Sequence, residues 1–239
     1  MSEAVRAVIL AGGKGTRLLP YTAALPKPLM PVGDMPILEI IVRQLAQAGI
    51  TDLTLSVGHL HSLLQAYFGD GERWGVNIGY SLEAEPLGTA GPISLVDRLT
   101  EPFLVLNGDL LCSIDYRDML ARHRASGALA TIAAYPKEVK VQLGVLETDG
   151  ERLVDYVEKP VMRYQVSMGI YVLDPAVLRY IPKGQRLDLP DLMKRLMADG
   201  QTVNLFGFEG YWRDIGTLEE YTAANEEFAA VALSLNIGS

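Results

Sequence analysis

A glycine-rich loop directly after a short apolar run constrains this chain more than any other feature. Residues 7–11 (Ala-Val-Ile-Leu-Ala) predict a buried strand, and three glycines follow within residues 12–15. Because glycine has no Cβ, the backbone N–H groups of such a loop can close around an anion. Arg17 and Lys27 add positive charge in a stretch, residues 4–33, that contains no acidic residue. The loop therefore predicts a phosphate-binding site.

Two better-known glycine loops do not match the spacing. A Walker loop needs Gly-x-x-x-x-Gly-Lys-Ser/Thr, but here Lys14 follows Gly13 and is itself followed by glycine. The dinucleotide fingerprint would need its third glycine where Leu18 stands, and its acidic residue would be Asp34, which lies in a Pro/Gly turn. A glycine turn that only joins a strand to a helix is the remaining alternative, and it does not explain the two basic residues.

Composition limits the class of protein. The chain has 239 residues, 49% of them hydrophobic and 21% charged, with a formal net charge of −8. These values predict a globular, cytoplasmic protein and argue against binding to nucleic acid or to an anionic membrane. The single Cys112 excludes an internal disulfide. We expect one domain over residues 1–229 and a loosely held C-terminal tail over residues 230–239.

Strand-like and helix-like segments alternate in the first half of the chain. Periodicity predicts helices over 36–48, 60–68 and 90–96, and strands over 53–57, 78–82 and 103–107. This order predicts an α/β fold with a doubly wound, mainly parallel mixed sheet. In such sheets, ligands bind beyond the carboxyl ends of the strands, so the glycine loop and Asp109 should face one cleft.

Strand-like segments dominate the second half. They cover residues 129–134, 143–147, 153–158 and 166–173, with helices predicted over 189–198 and 217–228. We interpret them as a smaller, partly antiparallel sheet that closes over the cleft.

Two acidic residues are candidates for binding a divalent cation. Asp109 follows an apolar strand and a glycine, and Asp214 lies in the segment Trp-Arg-Asp-Ile-Gly-Thr. Carboxylates opposite a phosphate loop are suited to Mg²⁺. The alternatives are that Asp109 caps a turn and that Asp214 caps the following helix, although Thr217 is nearer the capping position.

Other polar residues give weaker signals. Glu158 and Lys159 end a strand as an acceptor beside a cation, which suits a sugar hydroxyl and a phosphate but also suits a surface ion pair. His59, His61 and His123 share no metal-ligand spacing, and we interpret them as structural or surface residues.

Six motifs occur in series, and together they are specific. They are Leu10–Leu18 (LAGGKGTRL), Pro26–Pro28 (PKP), Glu85–Gly91 (EPLGTAG), Asn107–Asp109 (NGD), Glu158–Pro160 (EKP) and Trp212–Thr217 (WRDIGT). From about residue 5 to residue 228 the chain resembles the sugar-1-phosphate nucleotidyltransferases, most closely the mannose-1-phosphate guanylyltransferases without a C-terminal β-helix. The resemblance implies a Rossmann-like nucleotidyltransferase fold with a smaller, sugar-binding sheet.

The resemblance also implies roles for individual residues. Arg17, Lys27 and Lys159 would be catalytic, with Lys159 on the sugar phosphate, and Asp109 and Asp214 would hold the Mg²⁺ cofactor. Glu83 would contact the edge of the base and Gly88 its face. The implied substrate-binding residues are Leu10, Ala11, Gly12, Gly13, Gly15, Thr16, Glu83, Gly88, Thr89, Gly144, Glu158 and Gly169. Ser167 departs from the asparagine common in the family, which leaves the sugar's identity open.

The implied reaction joins a nucleoside triphosphate to a sugar 1-phosphate and releases pyrophosphate. An ionised Glu83 can accept two hydrogen bonds, which matches the adjacent donors of guanine and favours GTP with mannose 1-phosphate or a related sugar phosphate. The alternatives are a glucose-1-phosphate uridylyl- or thymidylyltransferase and, from another class, an inactive regulatory module that binds nucleotide-sugars. The expected partners are these small molecules, with neither nucleic acid nor membrane, and with self-association into a homo-oligomer.

Overall fold

The computed structural model describes residues 5–237. Its strands, in chain order, are β1 (Arg6–Leu10), β2 (Pro31–Val32), β3 (Met35–Pro36), β4 (Asp52–Val57), β5 (Asn77–Leu82), β6 (Phe103–Asn107), β7 (Leu110–Cys112), β8 (Ala130–Lys140), β9 (Val145–Asp149), β10 (Arg152–Val157), β11 (Val161–Leu173), β12 (Val203–Gly207) and β13 (Trp212–Asp214). The α-helices are α1 (Ile37–Gln47), α2 (His61–Phe68), α3 (Tyr116–Ser126), α4 (Leu189–Ala198) and α5 (Leu218–Val231).

A seven-stranded sheet forms the centre of the fold, in the order β12-β8-β11-β6-β1-β4-β5. Strand β11 pairs antiparallel with β6 and β8, and the other neighbouring pairs are parallel. The central strands are buried on both faces, which explains their continuous apolar sequences. The predicted doubly wound, mainly parallel mixed sheet is therefore confirmed.

Alternate residues of β1 face opposite layers of the core. Ala7 and Ile9 pack with residues of α1, α2 and α3 on one face. Val8 packs with residues of α4 and of the 3-10 helix Gly91–Leu95 on the other face. Because β1 pairs in parallel with both β4 and β6, the carboxyl ends of these three strands and the loops that follow them lie at the same edge of the sheet.

Strands of the second half join the central sheet more extensively than predicted. β8, β11 and β12 extend it, while β9 and β10 form a separate antiparallel pair. The small antiparallel sheet is thus confirmed, but it contains only the two strands β9 and β10 among the described residues, fewer than predicted. The helix predicted over 90–96 is the 3-10 helix Gly91–Leu95, which has a proline in its first turn.

The loosely held tail expected from residue 230 is not what the structure shows for residues 230–237. Helix α5 continues to Val231, and the side chain of Leu235 is fully buried beside α1 and α5. Gln44 of α1 donates a hydrogen bond from Nε2 to the carbonyl oxygen of Leu235 (2.5 Å). Burial of an apolar side chain, which the sequence pattern did not reveal, fixes this segment. Across residues 5–237, no helix is both long enough and apolar enough to cross a membrane.

Candidate active site

A cavity of about 910 Å³ lies beyond the carboxyl ends of β1, β4 and β6. This size is typical of pockets that bind small molecules. Many of the residues predicted to contact nucleotide line it together, namely Leu10, Ala11, Gly12, Gly13, Gly15, Thr16, Arg17, Lys27, Glu83, Gly88, Thr89 and Asp109. The structure therefore brings the first four motifs to one place.

The glycine loop forms one wall of this cavity. Gly15 adopts the left-handed backbone region (φ +62°), and a Cβ there would lie 2.9 Å from Cγ2 of Thr22. The Thr22 hydroxyl donates a hydrogen bond to the Gly15 carbonyl (2.8 Å) and so holds the turn from behind. Nothing lies within 4 Å of the position that a Cβ of Gly13 would occupy. The backbone at Gly13 is therefore open to a ligand.

Lys27 supplies a buried positive charge beside this loop. The residue begins the 3-10 helix Lys27–Leu29 and is 8% exposed. Its ammonium group forms an ion pair with Oδ2 of Asp109. A cation held out of bulk water interacts strongly with nearby negative charge, because little solvent screens it. Lys27 can therefore stabilise negative charge on a phosphate in the cavity.

Asp109 and Asp214 are brought together by the short antiparallel pair β7–β13. Asp214 pairs with Leu110 in this ladder, and the Ile215 N–H donates to the Asp109 carbonyl (3.0 Å). Oδ1 of Asp109 is buried without a hydrogen-bond partner among the described residues. Partial desolvation and the nearby Asp109 raise the pKa of the Asp214 carboxyl, while Lys27 and Arg17 act in the opposite direction.

Asp214 is free of the helix-capping role that was its alternative. Thr217 caps α5 instead, since its hydroxyl oxygen accepts a hydrogen bond from the Glu220 N–H (3.3 Å). Arg213 anchors β13 to the same helix through ion pairs with Glu220 and Glu227. The Asp214 carboxylate therefore remains available for a ligand.

These carboxylates fit a magnesium ion shared with phosphates. The described residues contain no cluster of three or more His, Cys, Asp or Glu side chains that could enclose a metal by themselves. Mg²⁺ is commonly held by one or two carboxylates together with substrate phosphates and water. The unpartnered Oδ1 of Asp109 and the nearby Asp214 are a donor set of this kind.

Glu83 lines the cavity at the end of β5, but its carboxylate already has protein partners. Oε1 accepts from the Ser56 hydroxyl (3.1 Å), and Oε2 accepts from the Leu87 N–H (3.0 Å). A Cβ at Gly12 would lie 2.7 Å from Oε1, so the glycine loop packs directly against this side chain. Each carboxylate oxygen retains a second acceptor site for a ligand.

The residues predicted to contact the sugar do not line this cavity. Gly169 borders it, because a Cβ there would lie 2.6 Å from Nδ2 of the cavity residue Asn107. Gly144 lies against the ring of Tyr156 on the β9–β10 hairpin. Glu158 and Lys159 follow β10, and they form an exposed ion pair (3.7 Å) of the kind considered as the alternative.

Sequence reasoning missed part of the cavity wall. His59 and His61, interpreted as structural or surface residues, line the cavity, as do Gly58 and Gly216. The histidines follow the carboxyl end of β4, so the rule that placed Asp109 could have found them too. His123 is structural: its ring is buried and its Nδ1 lies 2.9 Å from Oγ1 of Thr131. Burial lowers the pKa of His123.

The fold and this cavity define an α/β protein with a cavity suited to an anionic ligand beyond the carboxyl ends of its parallel strands. The sequence model of the family described as "Nucleotidyl transferase" matches residues 6–231. This chain therefore belongs to the nucleotidyl transferase family. Its predicted family resemblance is confirmed.

The names of individual relatives indicate different substrates. The chain is 39% identical over 228 residues to the mannose-1-phosphate guanyltransferase of Schizosaccharomyces pombe, a match that covers 91% of this chain and 62% of that protein. It is 34% identical over 241 residues to the UTP–glucose-1-phosphate uridylyltransferase of Synechocystis sp., with 92% and 62% covered. The chain thus spans about three fifths of the length of these relatives.

A solved structure has a similar fold. The crystal structure of HddC from Yersinia pseudotuberculosis complexed with GMP-PN matches with a TM-score of 0.72 and 25% identity. The match covers 94% of this chain and 99% of that chain.

Proposed function

We propose that this protein transfers a nucleotidyl group from a nucleoside triphosphate to a sugar 1-phosphate. The cavity carries the proposal, because it combines a glycine loop suited to phosphates with the buried cation Lys27 and the carboxylate of Asp109, to which the β7–β13 pair brings Asp214 close. Family membership supports the same reaction class. Incubation with nucleoside triphosphate, sugar 1-phosphate and Mg²⁺ tests it, with release of pyrophosphate and of a nucleotide-sugar as the expected result.

The reaction needs no residue to remove a proton. A sugar 1-phosphate is already ionised at neutral pH, so its oxygen can attack the α-phosphorus directly. That bond forms as the bond from the α-phosphorus to the bridging oxygen breaks, and pyrophosphate leaves with the electron pair. The protein then has to align two anions and stabilise developing charge, for which we assign Arg17 and Lys27.

Asp109 and Asp214 would hold the magnesium ion. When bound, Mg²⁺ would neutralise charge on the phosphates and so favour departure of pyrophosphate. The Asp109 carboxylate would offer Oδ1, which has no hydrogen-bond partner within residues 5–237, while Oδ2 stays paired with Lys27. Arg17 lies close by, with guanidinium nitrogens 3.4 and 3.5 Å from the position that a Cβ of Gly216 would take.

GTP is the proposed nucleotide, with mannose 1-phosphate or a related sugar phosphate. Support comes from Glu83 in the cavity wall, from the guanyltransferase name of the Schizosaccharomyces pombe relative and from the HddC structure with GMP-PN. The alternative is UTP or dTTP with glucose 1-phosphate, which the Synechocystis relative favours by its name. A carboxylate suits the paired donors of guanine, whereas a pyrimidine offers one donor between two carbonyls.

A substrate panel with a matched variant decides between these bases. We expect the unmodified protein to prefer GTP over UTP, dTTP and ATP in kcat/KM. Glu83→Gln should lower the GTP-to-UTP ratio by roughly fivefold or more, because leaving buried polar groups of a base unpaired costs at least about 1 kcal/mol. Preference of the unmodified protein for a pyrimidine nucleotide would contradict the guanine assignment and leave the reaction class intact.

Lys159 is proposed to act on the sugar phosphate, whereas Lys27 acts on the nucleotide. The backbone at Lys159 has a positive φ (46°), which is unusual for a residue other than glycine and is frequent at functional sites. Lys159→Ala should therefore raise KM for the sugar phosphate more than KM for the nucleotide. Steady-state kinetics with each substrate varied in turn measures this difference. Equal changes in the two KM values, or none, would contradict the assignment of Lys159 to the sugar phosphate.

A regulatory module that binds nucleotide-sugars without reacting is the rival from another class. It would bind nucleotide in the same cavity but would release no pyrophosphate with any sugar phosphate. The presence of Lys27, Asp109 and Asp214 in one cluster argues for the enzyme.

A further inference from the structure

The cavity wall that carries Gly88 and Thr89 is bonded to a segment about one hundred residues later in the chain. The Leu187 N–H donates to the Leu87 carbonyl (3.0 Å), and the Leu187 carbonyl accepts from the N–H groups of Ala90 (2.8 Å) and Gly91 (3.0 Å). These backbone bonds join the loop after β5 to the residues just before α4. The position of this wall therefore depends on a distant part of the sequence.

Two side-chain hydrogen bonds complete this junction: the Asp188 side chain bonds to the loop, and the Thr89 side chain bonds to the first turn of α4. Asp188 stands at the N-cap of α4, yet its side chain makes no capping bond to its own helix. Its Oδ1 instead accepts from the Thr89 N–H (3.1 Å). In return, Oγ1 of Thr89 accepts from the Leu189 N–H in the first turn of α4 (2.7 Å). An N-cap aspartate normally accepts from its own helix, so this departure indicates another use for the carboxylate.

Gly88 packs so closely against Leu187 and Asp188 that a side chain could not be added there. Its backbone is left-handed (φ +79°), and a Cβ would lie 2.5 Å from Oδ1 of Asp188 and 2.7 Å from the Leu187 carbonyl oxygen. Gly88 and Thr89 line the cavity, whereas Asp188 lies behind them and outside it. A shift of the Asp188 carboxylate would therefore move the cavity wall without removing any group that lines it.

We propose that Asp188 is a positioning residue for the nucleotide end of the cavity. By holding the Thr89 N–H, its carboxylate fixes where Gly88 and Thr89 present their backbone to the base. This inference rests on the proposed function for its kinetic consequence, because it takes the nucleotide to occupy that end. The partly exposed side chain also forms an ion pair with Arg186, at the long distance of 4.0 Å.

The test compares variants at two neighbouring aspartates. Asp188→Ala should raise KM for the nucleotide about tenfold, the scale of losing one hydrogen bond to a charged group, and should change KM for the sugar phosphate by less than about twofold. Asp188→Asn should restore most of the affinity, because an amide oxygen still accepts from the Thr89 N–H. Asp191→Ala is the matched control: it removes an exposed carboxylate from the same helix turn, paired with Lys194 and not with the loop.

Amide hydrogen exchange provides a readout that does not need activity. Peptides covering residues 84–95 should exchange faster in Asp188→Ala than in the unmodified protein, and at the unmodified rate in Asp191→Ala. Thermal unfolding confirms that each variant is folded. Unchanged exchange in this segment, or equal effects of Asp188→Ala and Asp191→Ala on both KM values, would overturn the proposal. Failure of the unmodified protein to release pyrophosphate would overturn the proposed function and leave the exchange result to decide the role of Asp188.

Discussion

Asp214→Ala should lower turnover by at least about a hundredfold, the scale typical of removing a group that stabilises developing charge. The carboxylate lies beside Asp109 in a crowded, partly desolvated site, which raises the pKa of Asp214. Asp214 is exposed by surface area, and Lys27 and Arg17 favour its negative form, but partial desolvation and the neighbouring Asp109 outweigh them. Because the folded-state pKa is raised, the ionised form lowers the stability of the fold above that pKa. The variant should therefore lose activity while its thermal midpoint stays the same or rises, a result typical of functional residues.

Asp214→Asn and a magnesium titration separate charge from packing. The asparagine keeps the shape of the side chain but weakens its binding of a divalent cation, so it should need more Mg²⁺ for half-maximal activity. Glu138→Gln is a suitable control, because it removes an exposed carboxylate on β8 that pairs with Arg163. Normal turnover together with normal magnesium dependence in Asp214→Ala would show that this residue holds no metal.

Individual strands, helices and the glycine loop could be predicted because the sequence patterns that indicate them are local. β6 is observed over Phe103–Asn107, as its apolar run indicates, and α4 over Leu189–Ala198, as its periodicity indicates. The glycine loop follows from the same kind of evidence, since its function depends on residues adjacent in sequence. The rule that ligands lie beyond the carboxyl ends of parallel strands then placed this loop and Asp109 in one cavity.

Helix α3 was not predicted, although its sequence contains the signals. Asp115 caps it by accepting from the N–H groups of Arg117 (2.9 Å) and Asp118 (3.1 Å). Its buried residues, Tyr116, Met119, Leu120 and His123, recur at helical spacing. Charged residues between them hide this narrow apolar face from a search for apolar runs. The helix is therefore stabilised by its cap and by packing rather than by overall hydrophobicity.

Contacts between residues that are far apart in the sequence could not be predicted. Asp109 and Asp214 meet through the ladder between β7 and β13, two strands of three residues each that local propensity cannot match to one another. The same limit applies to Asp188, whose position at a helix start predicts a cap for its own helix and gives no sign of Thr89. The sequence also identifies Glu83 as an acceptor, but only the packed structure shows which protein donors it already has.

Lys27→Met should produce the other large loss, with kcat/KM lowered by roughly two to three orders of magnitude. The methionine keeps an apolar stem in a site where Lys27 is 8% exposed, but it removes the cation that pairs with Asp109. Charge stabilisation of a leaving group in such a site is worth about 3–4 kcal/mol, which corresponds to this loss.

Because Lys27 is proposed to contact the nucleotide phosphates, calorimetric titration with a nucleotide analogue should show weakened binding, whereas sugar-phosphate binding should change less. Lys194→Met is the matched control, since that lysine is 74% exposed and pairs with the surface residue Asp191. A Lys27→Met variant with the nucleotide affinity and turnover of the Lys194→Met control would remove Lys27 from the mechanism and leave Arg17 to stabilise the pyrophosphate.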